Sequence, residues 1–338
     1  MAHAQSSLVS STAKYARRLL HVVLYGTAMG TIALTSNVVQ VVTLLLYPFS
    51  RRAVARINAK ICEVIWRTID FAMERHNKAQ ITFSGDITSI PVNEQPVLLS
   101  PNPKLNAIES AIVISNHCAA MDWALINAVA MRRGMLAHCK YFVKASMQWV
   151  PFFGPGMRLA GFPYLSRNWA ADNKKIEAVF HVLKSDKLPC WLISFLEGTR
   201  ITPKKLAESQ AFSRSKNLPV FENVMYPRKK GFVATLQALR DSHVRYVYDV
   251  TLAYLHVPSG QVNAQYPDLL VIHTDDLSKE WAFHVHVDRI AIEDIPVEDE
   301  AVGKWIEERW KVKDQRLAAY KANWPKIGKD GVYSLPFY

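Results

Sequence analysis

Ala111-Ile112-Val113-Ile114-Ser115-Asn116-His117-Cys118-Ala119-Ala120-Met121-Asp122 is the stretch whose reading decides the fold. Its apolar start fits a buried strand. Ser115-Asn116 suits the start of a helix. A histidine placed there sits at a sheet edge with its side chain free, and a carboxylate lies five positions on. Further along, residues 123–133 are helical in pattern, 139–143 a second strand and 168–186 a second helix. Residues 191–196 read as a third strand, 229–241 as a helix and 244–255 as a strand rich in Val and Tyr. This alternation predicts an α/β fold with a mainly parallel core sheet, in which sites gather where strands end and helices begin.

The second informative segment is Phe195-Leu196-Glu197-Gly198-Thr199-Arg200, again at a strand end. Arg200 can hold a phosphate in bidentate fashion. Gly198 lets the backbone approach closely and Thr199 adds a donor. Gly161-Phe162-Pro163-Tyr164-Leu165-Ser166-Arg167 repeats the idea: a turn glycine, an apolar strand, then a cation. His-x4-Asp alone is weak, because roughly half a chance match is expected with 11 histidines. His181 and Asp186 share the spacing, yet they lie among Lys174, Lys175, Glu177 and Lys184 on a solvated helix pattern. His117 is therefore the candidate base for an alcohol, with Asp122 orienting its ring. Cys118 is an unpromising nucleophile, since helix neighbours point about 100° apart. The pairing of base and phosphate pocket suits acyl transfer onto a phosphorylated lipid. A thiol leaving group departs without a strong acid, so a thioester donor needs a dyad and no acyl-enzyme.

The net charge of +12 favours an anionic partner: a membrane surface or phosphorylated substrates. Nucleic acid is disfavoured by the lack of a basic-aromatic module or zinc-finger spacing. The four cysteines show no CxxC and read as reduced thiols. Residues 19–47 contain no Asp, Glu, Lys or Arg and are flanked by cations at both ends. As one helix they would extend ~43 Å, against a hydrocarbon core of ~30 Å. Ser36, Asn37 and Gln40 interrupt the run, so a tilted span and a shallow hairpin are both open. Gly26 and Gly30 form a GxxxG that permits helix packing. Residues 54–73 read as an amphipathic helix, lying in the headgroup layer or covering the globular domain. Pro91, Pro96, Pro101 and Pro103 mark 86–108 as a loop between strands. Phe283, Val285 and Val287 alternate with His284, His286 and Asp288; the polar set reads as the outward face of an edge strand, with a metal site the less favoured reading. Residues 302–320 read as a charged surface helix with a partly buried stripe.

In these blocks the chain resembles the lysophospholipid acyltransferases of the glycerophosphate acyltransferase superfamily. Residues 116–122, 161–167, 195–200 and 248–254 match that family's four motifs in order, and the likeness runs from the membrane segment nearly to the C-terminal helix. It is greatest to the eukaryotic branch with lysophosphatidate, lysophosphatidylinositol and lysocardiolipin acyltransferases. Lys144-Ala145-Ser146, Pro227-Arg228-Lys229-Lys230-Gly231-Phe232 and Tyr248-Asp249-Val250-Thr251 are similar to segments of that branch. The resemblance implies a long-chain acyl-CoA co-substrate, a lysophospholipid acceptor and no cofactor or metal. It implies His117 and Asp122 as the catalytic pair. Substrate contacts are expected at Glu197, Gly198, Thr199, Arg200, Gly161, Arg167 and Lys144. Leu196 stands where the family has proline, so altered loop stiffness is expected. The expected organisation is a membrane anchor at 1–50, an interfacial helix at 51–78, the acyltransferase domain at 79–322 and a tail at 323–338. Lysophosphatidate is the first expected acceptor and lysophosphatidylinositol the alternative; a silent lipid-binding protein is the reading from another class. The endoplasmic reticulum is the expected membrane.

Overall fold

The computed structural model describes residues 2–92, 109–166 and 169–337. The apolar run forms β2 (Ser110–Ser115), with all six residues buried. Its parallel neighbours are β6 (Trp191–Phe195) and β7 (Val244–His256). Beyond β6 lies β3 (Cys139–Tyr141), also parallel. Beyond β7 lie β9 (Trp281–Ala291), antiparallel to β7, and β1 (Gln80–Gly85), parallel to β9. The order is β1-β9-β7-β2-β6-β3, with β8 (Gln261–Val262) antiparallel on the end of β7. A separate parallel pair joins β4 (Val143–Lys144) to β5 (Tyr164–Leu165). The α/β class and the mainly parallel sheet are as the sequence predicts.

Side-chain alternation along buried strands makes two apolar layers. Val113, Ile193, Val250 and Leu252 pack under α3 (Asp122–Arg132) and α2 (Arg51–Phe71). Ile112, Ile114, Leu192 and Val247 pack under α5 (Trp169–Ser185), α7 (Lys229–Leu239) and α9 (Asp299–Ala322). Three further helices, α4 (Phe153–Leu159), α6 (Pro203–Ser215) and α8 (Leu269–Thr274), went unforeseen.

The 283–288 segment corrects an expectation. It is not an edge strand, because β1 covers its far side. His284 is fully buried, held at 2.8 Å by both Thr82 and Ser84. His286 lies between Ser84 and Asp288, and Asp288 also accepts from Arg309 and Arg316. The polar face is thus a hydrogen-bond network beneath α9. Burial, with help from His286 and Arg316, lowers the His284 pKa to about 3. The C-terminal helix is correspondingly more than a surface element. Val302, Ile306, Trp310 and Leu317 are buried, and Lys313 reaches Asp249 at 2.6 Å with both side chains fully enclosed.

The apolar N-terminal segment is one continuous helix, α1 (Ala2–Thr43), continued by a 3-10 turn at Leu44–Leu46. No hairpin forms within it. Arg18 pairs with Asp275, and Tyr25 stacks on His273 at 4.8 Å. Met29, Ala33 and Gln40 are buried. Asn37 donates to the Phe152 carbonyl at 2.9 Å, while Gln40 donates to Asn58 and to the Gly156 carbonyl. Two of the polar residues that interrupt the apolar run, Asn37 and Gln40, therefore help to fasten α1 to the domain. From Arg18 to Gln40 this contact line extends ~33 Å. Leu19, Leu24, Leu34, Val38 and Val42, on the rest of the cylinder, are exposed. Gly26 and Gly30 take no part in packing, since a Cβ on either would meet nothing within 4 Å. On α2, Ile65, Trp66 and Ile69 pack on the core, so this helix covers the domain. Of the 86–108 loop, Ile87 and Ile90 are buried in that core, while 93–108 lie outside the described residues.

Candidate active site

Three neighbouring parallel strands end side by side, and the segments leaving those three ends form the site. After β2, residues 116–121 turn into α3, whose first residue is Asp122. After β6, residues 196–200 turn toward α6. After β3, the chain enters β4 and its Lys144.

Asn116 anchors the first turn. Its amide donates to the Leu252 carbonyl at 3.0 Å and accepts from the Leu252 N–H at 2.9 Å, closing the end of β2 onto β7. Asp122 is fully buried and accepts four hydrogen bonds. Oδ2 takes His117 Nδ1 at 2.7 Å and the Cys118 amide at 2.5 Å. Oδ1 takes the Ala119 amide at 2.9 Å and the Tyr254 hydroxyl at 2.5 Å. A carboxylate so surrounded is fixed in place. It assigns the Nδ1–H tautomer to His117, leaving Nε2 as the acceptor. The imidazole is 21% exposed and stacks on Phe195, ring centroids 4.3 Å apart. Burial, reinforced by Asp122 and Glu197, pushes the Cys118 thiol well above its ordinary range. An inert thiol is the consequence. His181 lies exposed on α5.

The second turn is joined directly to the first: the Ile201 amide donates to the His117 carbonyl at 2.8 Å. Gly198 has φ +70°, a backbone conformation that favours glycine, and a Cβ there would lie 2.8 Å from Nε of the flexible Arg228 side chain. Thr199 Oγ1 accepts from Lys205 Nζ at 2.5 Å. Arg200 is exposed. Glu197, expected to face substrate, instead has its carboxyl buried beneath the turn. Desolvation drives its pKa well up, opposed by the His117 and Met225 amides and by Lys313, with Asp122 adding to the rise. Leu196 packs in the second apolar layer, and its carbonyl accepts the Arg228 amide at 2.7 Å.

Of the third block, Gly161 makes the expected turn at φ +77°. Lys144 is exposed, and its register partner is Leu165. Arg167 lies outside the described residues. Tyr254 and Arg228 were not singled out from sequence. Tyr254 stands in the 248–254 block, but only strand register brings it to Asp122, 132 positions earlier.

An acyltransferase family model matches residues 100–255, and a model of the acyltransferase C-terminus matches 278–325. A probable 1-acyl-sn-glycerol-3-phosphate acyltransferase 5 of Arabidopsis thaliana is 29% identical over 271 residues, covering 79% of this chain and 64% of that protein. The 1-acyl-sn-glycerol-3-phosphate acyltransferase epsilon of Mus musculus is 28% identical, covering 80% and 69%. Lysocardiolipin acyltransferase 1 of Gallus gallus is 30% identical over 217 residues, covering 63% and 54%. The chain thus spans between about half and 69% of the length of these relatives. With both models falling in order on the sheet and on its C-terminal helix, the chain belongs to the acyltransferase family that includes the 1-acyl-sn-glycerol-3-phosphate acyltransferases.

Proposed function

We propose that the protein transfers an acyl group from acyl-CoA to the free sn-2 hydroxyl of an anionic 1-acyl lysophospholipid, with lysophosphatidate as the first acceptor. The observation that carries this is the closed His117–Asp122 pair, whose His117 carbonyl accepts the amide of Ile201, the residue directly after the Gly198–Arg200 turn. In this reading His117 Nε2 takes the proton of the acceptor hydroxyl as its oxygen attacks the thioester carbonyl. Asp122 stabilises the imidazolium that forms. Collapse of the tetrahedral intermediate breaks the C–S bond, and the imidazolium proton goes to the departing CoA thiolate. Arg200, Arg167 and Lys144 are the cations assigned to substrate phosphates, and the Glu197 block supplies the turn that presents them. An apolar cleft walled by Ala33, Ile65, Trp66, Phe153, Met157 and Phe162 supports a place for an acyl chain. The Trp66 ring meets that of Trp123, the residue after Asp122, at a tilt of 48° with centroids 5.1 Å apart.

We also read α1 as the membrane element. With the 3-10 turn that continues it, α1 holds a 29-residue apolar stretch, Arg18–Leu46. Crossing the bilayer upright would drag Asp275, His273 and Asn58 into hydrocarbon along with it, at high cost. Lying in the interface with its apolar half-cylinder inward avoids this. The endoplasmic reticulum rests on the resemblance alone. Lysophosphatidylinositol and lysocardiolipin are the alternative acceptors.

Incubation with radiolabelled acyl-CoA and a panel of lysolipids tests the reading. Labelled diacyl phospholipid is expected, with lysophosphatidate preferred. Labelled free fatty acid without acylated lipid would point to a hydrolase, and no product on any acceptor would leave a lipid-binding protein.

A further inference from the structure

We propose that Arg228 is a phosphate-binding cation of the same site. This rests on the acyltransferase reading above. Residue 228 precedes α7, and its amide is tied to the Leu196 carbonyl at 2.7 Å, so its backbone is fixed against the start of the Glu197–Arg200 turn. Its side chain then runs over Gly198. The position of a Cβ on that glycine would lie 2.8 Å from Nε, 2.9 Å from Cδ and 3.1 Å from Cζ. The residue is nonetheless exposed. At the next two residues of the turn, Lys205 Nζ touches Thr199 Oγ1 and the Arg200 carbonyl. Lys205 and Arg228 thus both lie against the four-residue turn that carries the exposed Arg200. Among the described residues none of the three forms an ion pair with a carboxylate. The one acid of the turn, Glu197, has its carboxyl buried beneath it.

Cations placed around one turn without counter-charge repel one another. A doubly charged oxyanion relieves that repulsion, and a planar guanidinium held by its neck can meet it with two parallel N–H bonds. A phosphomonoester is the ligand of that charge and shape. It could be the headgroup of lysophosphatidate or the 3′-phosphate of CoA, which share this chemistry. A phosphodiester acceptor carries one charge and gains less from a third cation. Gly198 has a role here beyond its φ: it is the gap through which Arg228 reaches the phosphate.

The test compares wild type, Arg228→Ala, Arg228→Lys and Gly198→Ala with both substrates varied. Acceptors are lysophosphatidate and lysophosphatidylinositol; donors are acyl-CoA and its dephospho form lacking the 3′-phosphate. Arg228→Ala is expected to raise KM for one phosphomonoester substrate by about 30-fold or more, the size of a lost charge-assisted contact, with smaller change in kcat. Arg228→Lys is expected to recover part, and the unfolding midpoint to stay unchanged. A defect confined to lysophosphatidate places the phosphate on the acceptor. A defect seen with acyl-CoA and absent with the dephospho donor places it on CoA. Equal effects on all four substrates, or none, would overturn the proposal. Equilibrium binding of radiolabelled lysophosphatidate and CoA to the detergent-solubilised protein needs no turnover. Loss of binding in Arg228→Ala would uphold the phosphate site even where wild type shows no transferase activity, and retained binding of both ligands would refute it.

Discussion

Replacing Asp122 by Asn tests the core of the proposed chemistry, because the carboxylate serves four donors through two oxygens. Oδ2 faces His117 Nδ1 and the Cys118 amide; Oδ1 faces the Ala119 amide and the Tyr254 hydroxyl. If the new NH2 group takes the Oδ2 position, it must donate to His117 Nδ1. The ring proton is then forced onto Nε2, where a base needs a lone pair. If it takes the Oδ1 position, the tautomer survives but the negative charge does not. For charge centres ~4 Å apart at an effective dielectric of ~20, the lost stabilisation of the imidazolium is ~4 kcal/mol. That corresponds to a fall in kcat of about 1000-fold. In either orientation one backbone amide loses its acceptor, at ~1–3 kcal/mol of stability. Radiolabelled transfer to lysophosphatidate gives the rate, and a urea melt of the same preparation gives the stability. A variant retaining more than a tenth of wild-type kcat, while showing the stability loss, would refute the role of Asp122 as the partner of a catalytic base.

Other outcomes are expected from the same geometry. His117→Ala is expected to abolish transfer while exposed His181→Ala stays within about twofold of wild type, since the shared spacing is functional only at the strand end; equal losses in product formation would remove the support for this dyad. Cys118→Ala is expected to retain most activity, and a thioester-linked acyl group trapped on wild type would overturn that. His284 is neutral in the fold, its pKa lowered to about 3 from an ordinary 6.5. Its contribution is present above pH 6.5 and is lost as pH falls toward 3, amounting to up to ~2 kcal/mol between pH 6.5 and 5. His284→Gln should flatten that part of the stability profile, and an unchanged slope in urea melts across the range would count against it. A fluorescent label at Val42 on α1 is expected to be quenched by lipid-borne quenchers in vesicles while one at Asn217 is not; a water-exposed label at both positions would refute the interfacial placement of α1.

How much of this the sequence determined depends on the distance over which each feature is encoded. The α/β alternation, β2 with its adjoining turn, the His117–Asp122 spacing and the sharp turn at Gly198 are local, and a few residues of pattern suffice to specify them. The length and apolar character of α1 are local as well. Which of its residues face the domain is not, because Asn37 and Gln40 find their partners at Phe152, Gly156 and Asn58. The same separation hid Tyr254 beside Asp122 and Arg228 over Gly198, contacts created by strand register and by the close of one turn on another. The 283–288 strand shows the limit most plainly. Its alternation reads as one apolar and one solvated face, but the apolar side chains join the core and α9 covers the polar ones, and Thr82 and Ser84 of neighbouring β1, with the α9 arginines, satisfy polar groups that solvent would otherwise have served. Glu197 likewise reads as a ligand by position in its motif, and only the packing around the turn turns its carboxyl inward. Periodicity reports how a segment divides its own surface between two environments. Whether the polar side meets water, substrate or another buried charge is decided by the elements that pack against it.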